Sequence, residues 1–284
     1  GIVMSKGLSP LSKGMSYNVK GILDYDWNSD LSEMSAAAAN GLLISNHSYG
    51  TVTGWNYNSD SARWEFNGRF NEKEDYRFGL YDYDAQIQDS IAYNAPNYLI
   101  VAAAGNENSG QNFFPAAYQG VLSVGAFDSN GGKSSYSNFG GNTKKIAAPG
   151  GALNGNLLDD VLSTVPGSLY EAYAGTSMAS PHVAGVAALL IASGCPVANV
   201  YDALASTAQA AADGPDLKKY GPGILDAYSA VLPFADPDPS VELVGGNGTD
   251  RGTTYFHQAP LSVVMSGVSK IVSSGAVAPA INEG

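Results

Sequence analysis

Residues 175–190, GTSMASPHVAGVAALL, constrain the fold of this chain more than any other stretch. From Met178 to Ser193 eleven of the sixteen residues are Ala, Val, Leu, Ile or Gly. A helix that is apolar all round belongs inside a protein. Just upstream, 170–174 reads as a strand that stops at Gly175, so the local order is strand, tight turn, buried helix. Ser177 then sits at the helix N-terminus, near unpaired backbone N–H groups and the positive end of the macrodipole, where developing negative charge is stabilised. Pro181 falls at or just after the first turn, at the loss of at most one intrahelical hydrogen bond. Taken alone, a serine so placed is more often just an N-cap.

The rest of the chain alternates strand and helix. Residues 17–25 read as a strand and 31–40 as a helix, opened by Asp30 and Glu33 in a capping-box-like pair and closed by Gly41. A buried strand over 42–46 follows, then a helix over 85–94 with Ile87 and Ile91 on one face, then a strand over 98–103. Further strands are expected at 121–125, 145–148 and 161–164, and a last helix at 197–210. This rhythm implies an α/β fold with a parallel, doubly wound sheet covered by helices. Functional residues would lie at the carboxyl ends of the strands, where Ser48 and Asn106 fall. Gly105 permits a sharp turn there that can aim an amide at a developing oxyanion, although Gly105-Asn106 alone is more often an ordinary turn.

Residues 175–185 agree at all eleven positions with GTSMA[ST]PHVAG, the nucleophile motif of the subtilisin-like serine peptidases. LIVAAAGNENSG, 99–110, resembles that family's strand and turn ending in its oxyanion-hole asparagine. ISNHSYG (44–50), FPAAYQGVLSVGA (114–126), SSYSNFG (134–140), KIAAPG (145–150) and VLSTVP (161–166) match further family segments in order. The resemblance runs over about residues 1–232 and implies a secreted or cell-envelope serine endopeptidase with a peptide or protein substrate. It makes Ser177 the nucleophile, with Asn106 and the Ser177 backbone N–H as oxyanion donors. It also puts Ser48, Tyr49 and Gly50 along one side of the peptide cleft. Ala102, Ala103, Ala104 and Gly105 would wall the pocket for the residue before the scissile bond. No cofactor is needed for such chemistry, and structural calcium is compatible with the family.

A serine hydroxyl needs a base, and the base a carboxylate to orient it. The family's HGTxVAGT-like and D[ST]G-like motifs are absent, and GIVMSKGLSP at the start resembles the segment that follows the catalytic histidine's helix. The expectation is therefore a partial peptidase domain whose catalytic Asp and His lie upstream, so that this chain alone is nearly inactive. Of the three histidines, His182 is five residues beyond Ser177, about 500° around the helix and roughly 7.5 Å along it, and reads as a packed side chain. His47 reads as a satisfied core or edge residue. His257 follows Ser177 with Asp226, Asp236 and Asp250 between, the order of an α/β-hydrolase, and GTSMA departs from G-x-S-x-G at one position. The extended match and Asn106 stand against that esterase reading with Ser177 and His257. A catalytically dead binding module is the other alternative; decay would scatter substitutions, whereas 99–110 and 175–185 are intact.

A net charge of −12 disfavours nucleic acid and anionic lipid as partners, and no apolar run reaches the ~18 residues of a membrane span. The single cysteine, Cys195, excludes an intrachain disulfide. The linker ADPDPS (235–240) divides a peptidase domain, 1–233, from residues 234–284, which open a β-rich C-terminal extension. Residues 51–83 form an insertion-like loop rich in Trp, Tyr and Phe, which either walls the cleft or packs on itself. Asp24, Asp26, Asn28 and Asp30 alternate like half a calcium loop, but Ser29 replaces the required Gly and Ser35 the required Glu, so a solvated loop is the competing reading and no metal ligand is assigned.

Overall fold

The computed structural model describes residues 1–26, 28–50, 53–58, 60–110, 120–140 and 144–234. The chain forms α1 (Asp30–Ala39), β1 (Ile44–His47), β2 (Trp55–Asn58), β3 (Arg63–Phe66) and α2 (Tyr83–Asn94). It continues through β4 (Leu99–Ala103), β5 (Val121–Phe127), β6 (Lys144–Pro149), β7 (Val161–Val165) and β8 (Leu169–Tyr173). The helices α3 (Thr176–Ala192), α4 (Val200–Thr207), α5 (Leu217–Tyr220) and α6 (Ala227–Val231) follow.

The central sheet has the order β1-β4-β5-β6, and every pair is parallel. Side chains alternate across it, so each face needs its own cover. Val101, Leu122, Val124 and Ile146 pack with Val183, Val186 and Leu190 of α3, while Ile100, Ala102 and Val121 pack with Met34 of α1 and with Ala85 and Ile91 of α2. Helices on both faces bury all seven residues of β5. On its far side α3 is covered by Val200 and Leu204 of α4, by Ala227, Ala230 and Val231 of α6, and by Met15. Each fully buried Val, Leu or Ile contributes about 1.5–3 kcal/mol.

Four expectations need correction. Residues 17–25 form turns and irregular backbone, with Ile22 and Leu23 exposed, and pair with no strand among the described residues. The strand expected at 161–164 is outside the parallel sheet and pairs antiparallel with β8. Asp30 and Glu33 make no capping box: Asp30 is the first helical residue, Ser29 precedes it in a left-handed conformation, and the Asp30 Oδ2 accepts from the Tyr49 hydroxyl. The helix expected over 197–210 is shorter, because Gln209 leaves it to form a two-way backbone pair with Ile224. Beside that pair, Leu225 N–H donates to the Ala147 carbonyl and Ala147 N–H to Gly223, which occupies the outer edge of β6.

Within the aromatic insertion, β2 and β3 pair antiparallel, and 67–82 follow as turns and irregular backbone. Trp55 stacks obliquely on Phe66, 5.2 Å between ring centres. A polar hub holds its base: the buried Asp75 accepts from Gly54 N–H and from Arg77, and that guanidinium holds the carboxyl at about 2, well below the usual carboxylate range. Trp55 and Trp64 are left mostly exposed. Among the described residues no helix is long and apolar enough to cross a membrane. His257, Asp236, Asp250 and the expected C-terminal extension lie outside the described residues.

Gln88 of α2 is fully buried, and neither of its amide atoms has a hydrogen-bond partner among the described residues. A buried polar group left unpaired costs about 1–3 kcal/mol. Gln88→Met should therefore stabilise the protein by about 1 kcal/mol and raise Tm by about 2–4 °C in a thermal melt. A lowered Tm would show that the amide has a polar partner after all.

Candidate active site

The turn between β8 and α3 depends on Gly175, whose φ of 153° and ψ of 157° lie where side chains are strained. Its N–H donates to the Gly150 carbonyl at 2.8 Å. Ser177 is consequently the second residue of α3, partly exposed, where helix N–H groups have no intrahelical acceptor. Its Oγ donates to the Ser48 carbonyl at 3.2 Å, and the Ser48 Oγ donates to the Ser177 carbonyl at 3.0 Å. Pro181 explains the second bond. An α-helical residue at 181 would give its N–H to the carbonyl of Ser177, four residues back, but proline has none. The carbonyl is thereby open to Ser48. One turn on, Ser180 Oγ donates to Asn46 Oδ1 at 2.7 Å, so the end of β1 is stitched to the first two turns of α3.

Asn106 follows Gly105 at the end of β4. Its Oδ1 accepts from Thr176 N–H at 2.9 Å and from Thr176 Oγ1 at 3.0 Å, and the Gly105 N–H donates to the same Thr176 Oγ1 at 3.1 Å. These bonds orient the amide, because its oxygen faces α3 and its Nδ2 makes no hydrogen bond among the described residues. That Nδ2 lies 3.8 Å from the place where Gly175 would carry a Cβ. A fixed outward donor beside an open helix N-terminus is an arrangement that can stabilise an oxyanion. Thr176, which the sequence reading passed over, is the residue that aims it; its signal was its place within the eleven-residue motif.

The residues expected to bind substrate are less alike than the sequence implied. Ser48, Tyr49 and Gly50 leave β1 next to Ser177, with Gly50 exposed. Ala102 is fully buried against Met34, Ala85 and Ile91, and lies between His47 and Ser123 in the sheet, so its side chain belongs to the core. Ala103 and Ala104 are also buried. Ala104 spends its N–H on Val124 and its carbonyl on Asn138, and Gly105 spends its carbonyl on the Asn138 N–H. What Ala104 and Gly105 can present is surface, not hydrogen bonds.

Neither described histidine is free to serve Ser177. His182, fully buried, shares Nδ1 with the Met178 carbonyl at 2.8 Å. His47 is the centre of a chain of hydrogen bonds that was not foreseen. Tyr98 OH donates to Ser45 Oγ at 2.7 Å, Ser45 Oγ lies 2.7 Å from His47 Nε2, His47 Nδ1 lies 2.7 Å from Tyr49 OH, and that hydroxyl donates to Asp30 at 2.8 Å. The carboxylate at one end makes Tyr49 its donor, so Tyr49 oxygen must accept from Nδ1–H and Nε2 must accept from Ser45. Every group is then satisfied with His47 neutral. Burial holds both imidazoles down to about 4; the Asp30 charge opposes this for His47, as the Met178 carbonyl does for His182. Among the described residues no three His, Cys, Asp or Glu side chains are grouped to hold a metal ion, and Asn28 N–H closes a local turn on Asp26.

Two measurements check this geometry. In urea unfolding, Ser48→Ala should cost about 1 kcal/mol, yet cost little in a Pro181→Ala background, where the restored N–H takes the Ser177 carbonyl. Equal costs in both backgrounds would refute the link. The second concerns pH. The unfolded chain protonates these histidines near 6.5, whereas the native state resists until about 4. Unfolding therefore takes up protons within that window, and stability should fall as pH drops from 6.5 to 4, at up to about 2.7 kcal/mol per unit for two groups. His47→Gln should remove about half that slope.

The subtilase family model matches residues 2–223. A thermophilic serine proteinase of Bacillus sp. strain AK1 is 40% identical over 144 residues, 49% of this chain and 33% of that protein. Thermitase of Thermoactinomyces vulgaris is 38% identical over 133 residues, 47% of this chain and 44% of its own. The matches thus span less than half the length of these relatives. Among solved structures, the self-cleaved protease domain of PatA superposes with a TM-score of 0.58 at 25% identity, covering 82% of this chain and 80% of that one. The patellamide maturation protease PatA gives 0.54 at 28% identity, covering 72% and 67%. A family match over most of its length makes this chain a member of the subtilase family of serine proteases.

Proposed function

We propose that the chain carries the nucleophile half of a serine endopeptidase. Ser177 attacks the scissile carbonyl, and Asn106 Nδ2 together with the Ser177 N–H takes the charge of the tetrahedral intermediate. The observation that carries this reading is the pairing of a partly exposed Ser177 at the N-terminus of α3 with an Asn106 amide whose oxygen is tied down by Thr176. Ser48, Tyr49 and Gly50 form one wall of the peptide cleft, and 102–105 back the pocket for the residue before the scissile bond.

The base and its carboxylate come from segments upstream of Gly1. What supports this is that His47 has both ring nitrogens committed and His182 is sealed inside α3's packing. The described residues alone should then hydrolyse peptides hardly at all. In this reading 1–233 is the peptidase domain and 234–284 a linker and further module. Its substrates are peptides or proteins met outside the cytoplasm.

The test is peptide hydrolysis and labelling of the longer protein by a serine-directed fluorophosphonate. The label should sit on Ser177 in a mass-mapped digest. Ser177→Ala should abolish hydrolysis, and Asn106→Ala should lower kcat by about 10²- to 10³-fold, the magnitude known for the equivalent asparagine of subtilisin, a member of this family. Hydrolysis that survives Ser177→Ala, or a label found elsewhere, would overturn the reading, and dependence on His257 would favour the esterase arrangement.

A further inference from the structure

Between β5 and β6 the chain passes through Ser134, Tyr136, Ser137 and Asn138 without regular secondary structure, yet all four are buried. Asn138 is fully buried. Its Oδ1 accepts from Glu107 N–H at 3.1 Å and Ser109 N–H at 2.8 Å, and its Nδ2 donates to the Ala104 carbonyl at 3.0 Å and to Glu107 Oε2 at 2.7 Å. Its own backbone N–H donates to the Gly105 carbonyl at 3.0 Å. An amide has two donor and two acceptor positions, and here all four end on residues that bracket Asn106. Turning the amide over would set like against like at each of them, so its orientation follows from its partners. Gly105 is fitted to the same group: a Cβ there would fall 2.4 Å from Asn138 Nδ2. Neighbours extend the template, with Asn108 N–H donating to the Tyr136 carbonyl at 2.7 Å and Phe139 N–H to Ser109 at 2.9 Å.

We propose that Asn138 is the positioning residue of the oxyanion group: from inside the protein it sets the turn 104–109 and so aims Asn106 at the N-terminus of α3. It acts without touching the reacting atoms, and the inference rests on the reading of Asn106 given above. Asparagine is required because the turn presents two N–H groups together with a carbonyl and a carboxylate. Aspartate would keep the two acceptor bonds but oppose its second oxygen to Glu107 and Ala104. Alanine would remove the acceptor that Glu107 and Ser109 N–H share and the donor that the Ala104 carbonyl receives.

The experiment uses the longer protein, with kcat and KM for a peptide as one readout and amide hydrogen exchange as the other. Asn138→Asp should lower kcat about ten- to hundredfold at pH 8 with KM changed less than about twofold. Acidification, which lets one proton be shared between Asp and Glu107, should restore part of the loss, as should adding Glu107→Gln, which returns a donor. In an Asn106→Ala background the same Asn138→Asp should cost less than about twofold, since there is no amide left to misaim. Asn138→Ala should speed exchange at Glu107 and Ser109 by more than about tenfold while β5 exchanges as before. Equal losses of kcat in both backgrounds, or unchanged exchange at Glu107 and Ser109, would overturn the proposal. An unsubstituted protein that hydrolyses no peptide would instead sink the reading of Asn106, and the catalytic half of the proposal with it, whatever exchange reports.

Discussion

The burial of α3 along most of its length is the constraint on which the other elements depend. A helix made of Ala, Val, Leu and Gly has no face to show to water, so the sheet must lie along one side and α4, α6 and Met15 along the other. Gly185 is part of that fit, since a Cβ there would fall 2.6 Å from the side chain of Met15, and Ser16 Oγ closes the contact on the Gly185 carbonyl. With the middle of α3 enclosed, its accessible residues are at the first turn, Ser177 and Met178, and towards the far end, at Ala188, Ile191 and Ala192, and only the first turn lies beside the strand ends. The hydrophobic effect thus chooses where a nucleophile can be, before any catalytic group is considered.

Around that turn the polar groups are committed with few left over. Pro181 opens a carbonyl and Ser48 closes it; Thr176 ties the oxygen of Asn106; Asn138 absorbs the donors and acceptors of the loop behind it. In a low-dielectric surrounding each of these bonds is costly to leave unmade, and together they hold the groups in place by polar contacts. The donors for which no acceptor is found among the described residues, Asn106 Nδ2 and the Ser177 N–H, are those that an oxyanion would need. The hydrogen-bonded chain from Tyr98 to Asp30 extends the same economy behind Ser48 and Tyr49, and makes neutral His47 part of the support.

How much of this was legible in the sequence differs from residue to residue. The strands at 42–46, 98–103, 121–125 and 145–148 and the helices at 31–40 and 85–94 were readable because apolar runs bounded by turn residues report burial directly. The strand expected at 17–25 was misread because a strand exists only where another offers its edge, which a local pattern does not reveal. Asp30 shows the same limit for side chains: its spacing to Glu33 suggests a cap, yet the hydroxyl of Tyr49, nineteen residues away, claims it. Thr176 and Asn138 lay within quoted motifs, but nothing in their neighbours tells what they bond, because their partners come from other segments of the chain.

The sequence by itself determined the parallel α/β architecture, the buried helix and the place of Ser177 at its start, since periodicity, glycine and proline act over a few residues. Only the tertiary structure decided that Asn106 faces α3, that Ser48 fills the carbonyl opened by Pro181, and that His47 is locked between Ser45 and Tyr49. Those outcomes depend on distances between segments up to 129 residues apart, and a hydrogen bond is made or lost over less than an ångström.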